Sequence, residues 1–122
     1  MVDSHVERAL AAMKRDPSRR WTVAALARIA GLSRAPFARR FERATGAPPL
    51  RYLTGLRLRQ AATRLVTTDA RLAEIAIEVG YATEFSFAKA FKRTYGIAPG
   101  LFRQRAWGVT AAFTATSALR AA

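Results

Sequence analysis

Apolar residues recur every three or four positions along most of the chain, and no stretch shows the sustained alternation that a half-buried strand needs. The pattern predicts an all-α fold. Val6, Leu10 and Met13 make one stripe of a first helix, capped by Asp3 or Ser4 and ended by Asp16-Pro17. Thr22 caps a second helix, Trp21 is placed to pack on Leu26 as a hydrophobic staple, and Gly31 closes the helix. A third runs from Ser33 to Thr45, before Gly46. Pro36, at its third helical position, leaves Ser33 able to cap only the amide of Ala35. Pro48-Pro49 opens a long fourth helix to about Val66, with Leu50, Leu53, Leu56, Ala61, Ala62 and Leu65 facing the core. Gly55 inside it implies close packing against a neighbouring helix. A fifth helix follows Thr68-Asp69 and runs to Val79, and a sixth runs from Thr83 to Tyr95. A short seventh lies around Ala98 to Arg105. Residues 107–122 have no clear cap, few charges and weak periodicity, which predicts a flexible tail.

The chain also repeats itself. LARIAGLSRAPFARRFERATGAPP (residues 26–49) matches IAIEVGYATEFSFAKAFKRTYGIAP (residues 75–99) at a nearly constant offset. Ala24, Ala27 and Gly31 pair with Ala73, Ala76 and Gly80. After one extra residue in the second turn, Phe37, Phe41, Arg43, Gly46 and Pro49 pair with Phe87, Phe91, Arg93, Gly96 and Pro99. Each copy reads as a short helix, a turn of glycine then an apolar residue (Leu32 or Tyr81), an N-cap (Ser33 or Thr83) and a second helix. That is a helix-turn-helix layout.

The pairs Phe37/Phe41 and Phe87/Phe91 must face inward, so at 100° per residue Ala35, Arg39, Glu42 and Arg43 face outward in the first copy. Phe85, Lys89, Lys92 and Arg93 do so in the second, with Ala38 and Ala88 on the flanks and Arg34 and Glu84 near the helix starts. Apolar inside and cationic outside is what a helix entering a major groove requires, and also what any amphipathic helix of a basic protein shows. Two copies joined by a helix of about 17 residues, roughly 25 Å long, would hold two readers near the spacing of about 34 Å between successive major grooves. Phe85, aromatic and outward, is placed either to touch a thymine methyl or to cover a neighbouring helix.

Charge sharpens this picture. Twenty-one Lys plus Arg against 8 Asp plus Glu leave +13 on 122 residues, which points to a polyanionic partner. Nucleic acid comes first and an anionic membrane second. The cations are mostly arginine, which suits bidentate pairing with phosphate or guanine but also follows from GC-rich coding. The 51% apolar residues suffice for one core, and two large independent domains do not fit the length.

The absence of cysteine excludes disulfide scaffolds, zinc fingers, iron–sulfur clusters and thiol chemistry, and suits a reducing compartment such as the cytoplasm. The eight carboxylates are dispersed, His5 is the single histidine, and no glycine-rich phosphate loop is present. No catalytic residue, metal or cofactor is expected. No apolar run approaches the roughly 18 residues of a membrane span, and MVDSHVERAL is not a signal peptide, so the chain is expected to be soluble and cytoplasmic, with no membrane partner.

The stretch IAIEVGYATEFSFAKAFKRTYGIAPGLFR (residues 75–103) resembles the second-motif signature of the DNA-binding domain of AraC/XylS-type bacterial transcription regulators. Its I-A-x-x-x-G-aromatic run, F-x-x-x-F-K pair, G-x-x-P and aromatic-Arg carry the likeness. LARIAGLSRAPFARRFERATGAPPLRYL resembles the first motif, and LRLRQAATRLV the linker helix. The resemblance implies a seven-helix domain over residues 1–106, with a first helix-turn-helix at about 22–46, a linker helix at about 49–66 and a second helix-turn-helix at about 71–96. The third and sixth helices enter adjacent major grooves of double-stranded DNA.

Carried over by position, Arg34, Ala35, Ala38, Arg39, Glu84, Phe85, Ala88 and Lys89 read bases, and Ser33, Arg43, Thr83, Lys92 and Arg93 contact phosphate. Arg39 and Lys89 suit guanine, and Glu84 suits the amine of cytosine. The alanines lack donors, which implies modest sequence preference. RNA polymerase is a further candidate partner. This chain is expected to be monomeric, and most members of the family carry an effector-binding or dimerisation domain ahead of this one. The rival reading is an architectural nucleic-acid binder that uses charge without sequence choice; a specificity ratio against random DNA separates the two.

Overall fold

A computed structural model describes residues 3–108. Within them lie seven helices and no strand: α1 (Ser4–Arg15), α2 (Val23–Ala30), α3 (Arg34–Thr45), α4 (Pro49–Thr67), α5 (Leu72–Glu78), α6 (Glu84–Tyr95) and α7 (residues 99–108). The caps explain most of the boundaries. Asp3 accepts from the amides of His5 and Val6, Thr22 from that of Ala25 and Thr83 from that of Ser86, each satisfying donors that have no partner inside the helix. Gly31, Gly46 and Gly96 end α2, α3 and α6 in the left-handed conformation, with φ of 78°, 84° and 82°.

Ser33 departs from expectation. It occupies the N-cap of α3 but makes no side-chain cap bond, not even to Ala35. At the equivalent position of α6, Thr83 Oγ1 accepts from the third-residue amide of Ser86 at 3.0 Å. Pro36 stands at that third position in α3 and has no amide to donate.

Composition led to a single core, yet the chain forms two compact units, Met1–Arg59 and Gln60–Ala122, that divide within α4. In the first unit the repeat copy closes its interior together with apolar residues of α1 and the first half of α4. In the first unit Val6, Ala9, Met13, Trp21, Leu26, Ala27, Ala30, Phe37, Phe41, Leu53 and Leu56 form one buried cluster, and Leu10 packs at its edge. In the second unit Ala61, Leu65, Ile75, Ala76, Val79, Phe87 and Phe91 are buried.

The buried positions on α4 correct the single stripe expected of it. Leu53, Leu56, Leu58, Ala61 and Leu65 are buried, Ala62 is half-buried and Leu50 is 44% exposed. At 100° per residue, 53 and 56 lie on one side of the helix and 58, 61 and 65 on another, roughly 140° away. The helix therefore buries two faces in succession. Leu50 points about 90° from the first of them, while Leu58, absent from the expected stripe, falls on the second.

Gly55 is not a point of close packing, since a Cβ built there meets nothing within 4 Å. Replacing Gly55 with alanine should raise stability by about 1 kcal/mol and the melting temperature by about 4 °C, as alanine in a helix interior loses less backbone entropy. Thermal denaturation followed by circular dichroism checks this; an unchanged or lower midpoint contradicts it.

The same arginine device appears in both units. Arg57 donates from Nε to the Pro17 carbonyl at 2.7 Å and from Nη2 to that of Arg19 at 2.8 Å, holding the turn after α1. Arg103 donates from Nε to Leu65 at 2.9 Å and from Nη2 to Thr68 at 3.1 Å, holding the end of α4. Trp107, expected in the tail, lies in α7 and donates from its indole to the Val66 carbonyl at 3.0 Å. Gly108 also continues this helix, and the remainder of the expected tail lies outside the described residues.

Candidate nucleic-acid interface

Two turns set the direction of α3 and α6, and they are built alike. Gly31 and Gly80 have φ of 78° and 101°, a left-handed conformation that costs glycine nothing and strains other residues. Beyond them, the Leu32 amide donates to the Ala27 carbonyl at 3.0 Å and the Tyr81 amide to Ala76 at 2.8 Å. The glycine amides donate to Arg28 and to Ile77, at 3.1 Å in both turns. These bonds close the preceding helix and send the chain into the next at a fixed angle. His5 adds a clasp in the first unit: its Nδ1 lies 2.7 Å from the Ala30 carbonyl, tying the start of α1 to the end of α2.

Aromatic packing sets the rotation of each helix about its axis. Phe37 and Phe41 are fully buried with ring centroids 5.6 Å apart, and Phe41 meets Tyr52 edge-on at 5.5 Å. In the second unit Phe87 and Phe91 are fully buried at 5.8 Å, Tyr95 stacks on Phe91 at 4.5 Å, and Phe102 meets Phe91 edge-on at 5.2 Å. Tyr52 and Phe102 close the two cores from corresponding places, one on the helix after each motif.

With those faces inward, the outward residues follow. On α3, Arg34, Ala35, Arg39, Glu42 and Arg43 are exposed and Ala38 is half-buried, with Ser33 exposed at the cap. On α6, Glu84, Phe85, Lys89, Lys92 and Arg93 are exposed and Ala88 is half-buried, with Thr83 exposed at the cap. Every residue singled out from the sequence thus lies on the outward face, its flank or the cap. Each group of them is gathered along one helix of its own unit.

Phe85 is 77% exposed and has no ring contact with another aromatic side chain among the described residues, which removes the reading that it covers a neighbouring helix. The two cap hydroxyls differ. That of Thr83 accepts from the Ser86 amide and donates to Ser86 Oγ at 2.9 Å, whereas that of Ser33 has no such engagement among the described residues.

The cations divide into two classes that a charge count merges. Arg40 donates from Nε to Asp3 at 2.9 Å, and Arg64 grips both oxygens of Glu78 at 2.8 and 2.9 Å. Burial opposes ionisation of Asp3, but the hydrogen bond and charge of Arg40, with the amides of Val6 and His5, hold its carboxyl below the usual range. The Arg64 hydrogen bond and charge do the same for Glu78, again against partial burial. With Arg57 and Arg103, four partly exposed arginines are thereby bound to other groups of the fold. Arg34, Arg39, Arg43, Lys89, Lys92 and Arg93 are exposed and have no side-chain hydrogen bond or ion pair among the described residues.

Outward faces that carry six uncompensated cations, against Glu42 and Glu84, attract a polyanion. The described residues hold no cluster of three His, Cys, Asp or Glu side chains able to bind a metal. Nor do they include a helix long and apolar enough to cross a membrane.

Comparison with known proteins gives these faces a context. A family model described as "Helix-turn-helix domain" matches residues 26–105. A putative AraC-like transcription regulator of Streptomyces lividans is 45% identical over 104 residues, covering 85% of this chain and 34% of its own length. The transcriptional activator RclR of Escherichia coli is 47% identical over 89 residues, covering 73% of this chain and 31% of its own length. The chain thus spans about a third of the length of these curated relatives.

Among solved structures, the DNA-binding domain of the transcriptional factor AdpA in complex with a target DNA superposes with a TM-score of 0.80 and 29% identity, over 84% of this chain and 92% of that one. These likenesses are to transcription regulators, and they give no support to the architectural alternative. With its two matched turns, its buried aromatic pairs and the family match over both motifs, the chain belongs to the AraC-type helix-turn-helix family, whose members are DNA-binding transcription regulators and not enzymes.

Proposed function

We propose that this chain is the DNA-binding part of a bacterial transcription regulator that acts in the cytoplasm, recognising a double-stranded site with α3 in one major groove and α6 in the next. The observation that supports it best is the set of six exposed, unpaired cations on the outward faces of the two helices, while four other arginines are engaged within the fold. Arg34, Ala35, Ala38 and Arg39 are the base-reading residues of the first motif, and Glu84, Phe85, Ala88 and Lys89 those of the second. Ser33, Arg43, Thr83, Lys92 and Arg93 contact phosphate and fix the register. Arg39 pairs with guanine through its planar fork, Lys89 does so as a point charge, and Glu84 accepts from cytosine N4.

The curated relatives are about three times as long as the match, which supports a further effector-binding or dimerisation domain in the whole regulator. This chain alone binds as a monomer. Because RclR is named an activator, RNA polymerase is the second partner inferred for the whole protein.

The deciding experiment is selection from random duplex DNA by the purified chain at about 150 mM salt, near physiological ionic strength. Two enriched blocks about one helical turn, roughly 34 Å, apart are expected. Binding without enrichment would overturn sequence recognition by this chain.

A further inference from the structure

The geometry points to the first turn of α6 as a reader of the C5 methyl group of a pyrimidine, with the Phe85 ring as the contact. The inference rests on the reading of α6 as a base-reading helix and names the chemistry of one of its contacts.

Phe85 is the most exposed large hydrophobic side chain among the described residues, at 77% against 66% for Ile77. It stands second in α6, in the N-terminal turn from which a recognition helix reaches base edges. Ala88 and Lys89, three and four residues on, share its face, and Lys92 continues the row. A short alanine beside the ring leaves its surface open, while the cations that follow favour a phosphate backbone over an apolar protein surface. The α6 sequence, EFSFAKAFKRTY, contains no asparagine or glutamine for bidentate reading of adenine.

A phenyl ring has no hydrogen-bonding atom, so at a base edge in the major groove it reads an apolar group. In the major groove that group is the C5 methyl of thymine, and 5-methylcytosine presents the same methyl at the same place. The corresponding residue of α3 is Ala35, which is exposed but carries only a methyl group. The discrimination therefore belongs to the half-site of the second motif.

The test uses the full chain and the duplex obtained by selection. Each thymine of the second block is replaced in turn by uracil, which lacks only the methyl, and each cytosine by 5-methylcytosine. Affinities are measured by fluorescence anisotropy for the unaltered protein, Phe85→Ala and Phe85→Leu. At one position, loss of the thymine methyl should weaken binding about fourfold, the worth of burying one methyl-sized group, or a cytosine methyl should strengthen it by as much. The first result identifies thymine as the natural source of the methyl, and the second methylated cytosine.

The effect should vanish in Phe85→Ala and survive in part in Phe85→Leu, with melting temperatures unchanged because the side chain is exposed. Equal affinities at every position, or a methyl effect that persists in Phe85→Ala, would overturn the inference while leaving sequence-specific binding intact. Failure to select any sequence would remove both.

Discussion

Replacing Phe91 with alanine is expected to destabilise the second unit by about 3–5 kcal/mol, a large part of what holds a domain of this size together. Phe91 is fully buried and its ring meets Phe87 at 5.8 Å, Tyr95 at 4.5 Å and Phe102 at 5.2 Å. Those three rings come from α6 and α7, so the truncation removes the side chain on which both helices close. Alanine also leaves a cavity that rigid aromatic neighbours fill poorly. Thermal and urea unfolding followed by circular dichroism would read the loss, and DNA affinity should fall with it. A variant with unchanged melting would show that Phe91 does not anchor this core.

Arg39→Ala is the second large effect, and it should leave the fold untouched. Arg39 is exposed and has no ion pair or side-chain hydrogen bond among the described residues, so its removal breaks nothing inside the protein. If its fork pairs with guanine, DNA binding should weaken by about 1–3 kcal/mol, roughly five- to 150-fold, and preference should relax at one base pair. Arg43→Ala is the control. It truncates a cation assigned to phosphate, and should weaken binding to all sequences alike and reduce the salt dependence. Competition of the selected duplex against its single-base variants distinguishes the two patterns. An Arg39→Ala protein that loses affinity equally on every sequence would move Arg39 to the phosphate-contacting set.

What the sequence determined by itself is the local architecture. A helix end is decided within about four residues, by a side chain that accepts an orphan amide or a glycine that tolerates positive φ. Asp3, Thr22, Thr83, Gly31 and Gly96 act where their spacing predicts. The outward faces were legible for a similar reason. Two phenylalanines four apart in each copy can be buried only together, and that leaves a single outward side for Arg39 and Arg43 or Lys89 and Arg93.

The tertiary structure decided whatever depends on residues far apart in the chain. Periodicity places Arg39 and Arg43 outward, but nothing in the sequence shows that Arg40, Arg57, Arg64 and Arg103 find partners within the fold, because those partners lie far along the chain. Arg40 finds Asp3 37 positions away, Arg57 the carbonyl of Pro17 40 away, and Trp107 that of Val66 41 away. The burial of Leu58 and exposure of Leu50 have the same origin, since α4 turns one face inward along its first half and another along its second. Gly55 looked like a contact because a helix glycine usually needs a reason, but the space beside it is open. Short-range hydrogen bonding and periodicity are properties of the local chain; which of several equivalent side chains meets a partner is settled only when folding brings distant segments together.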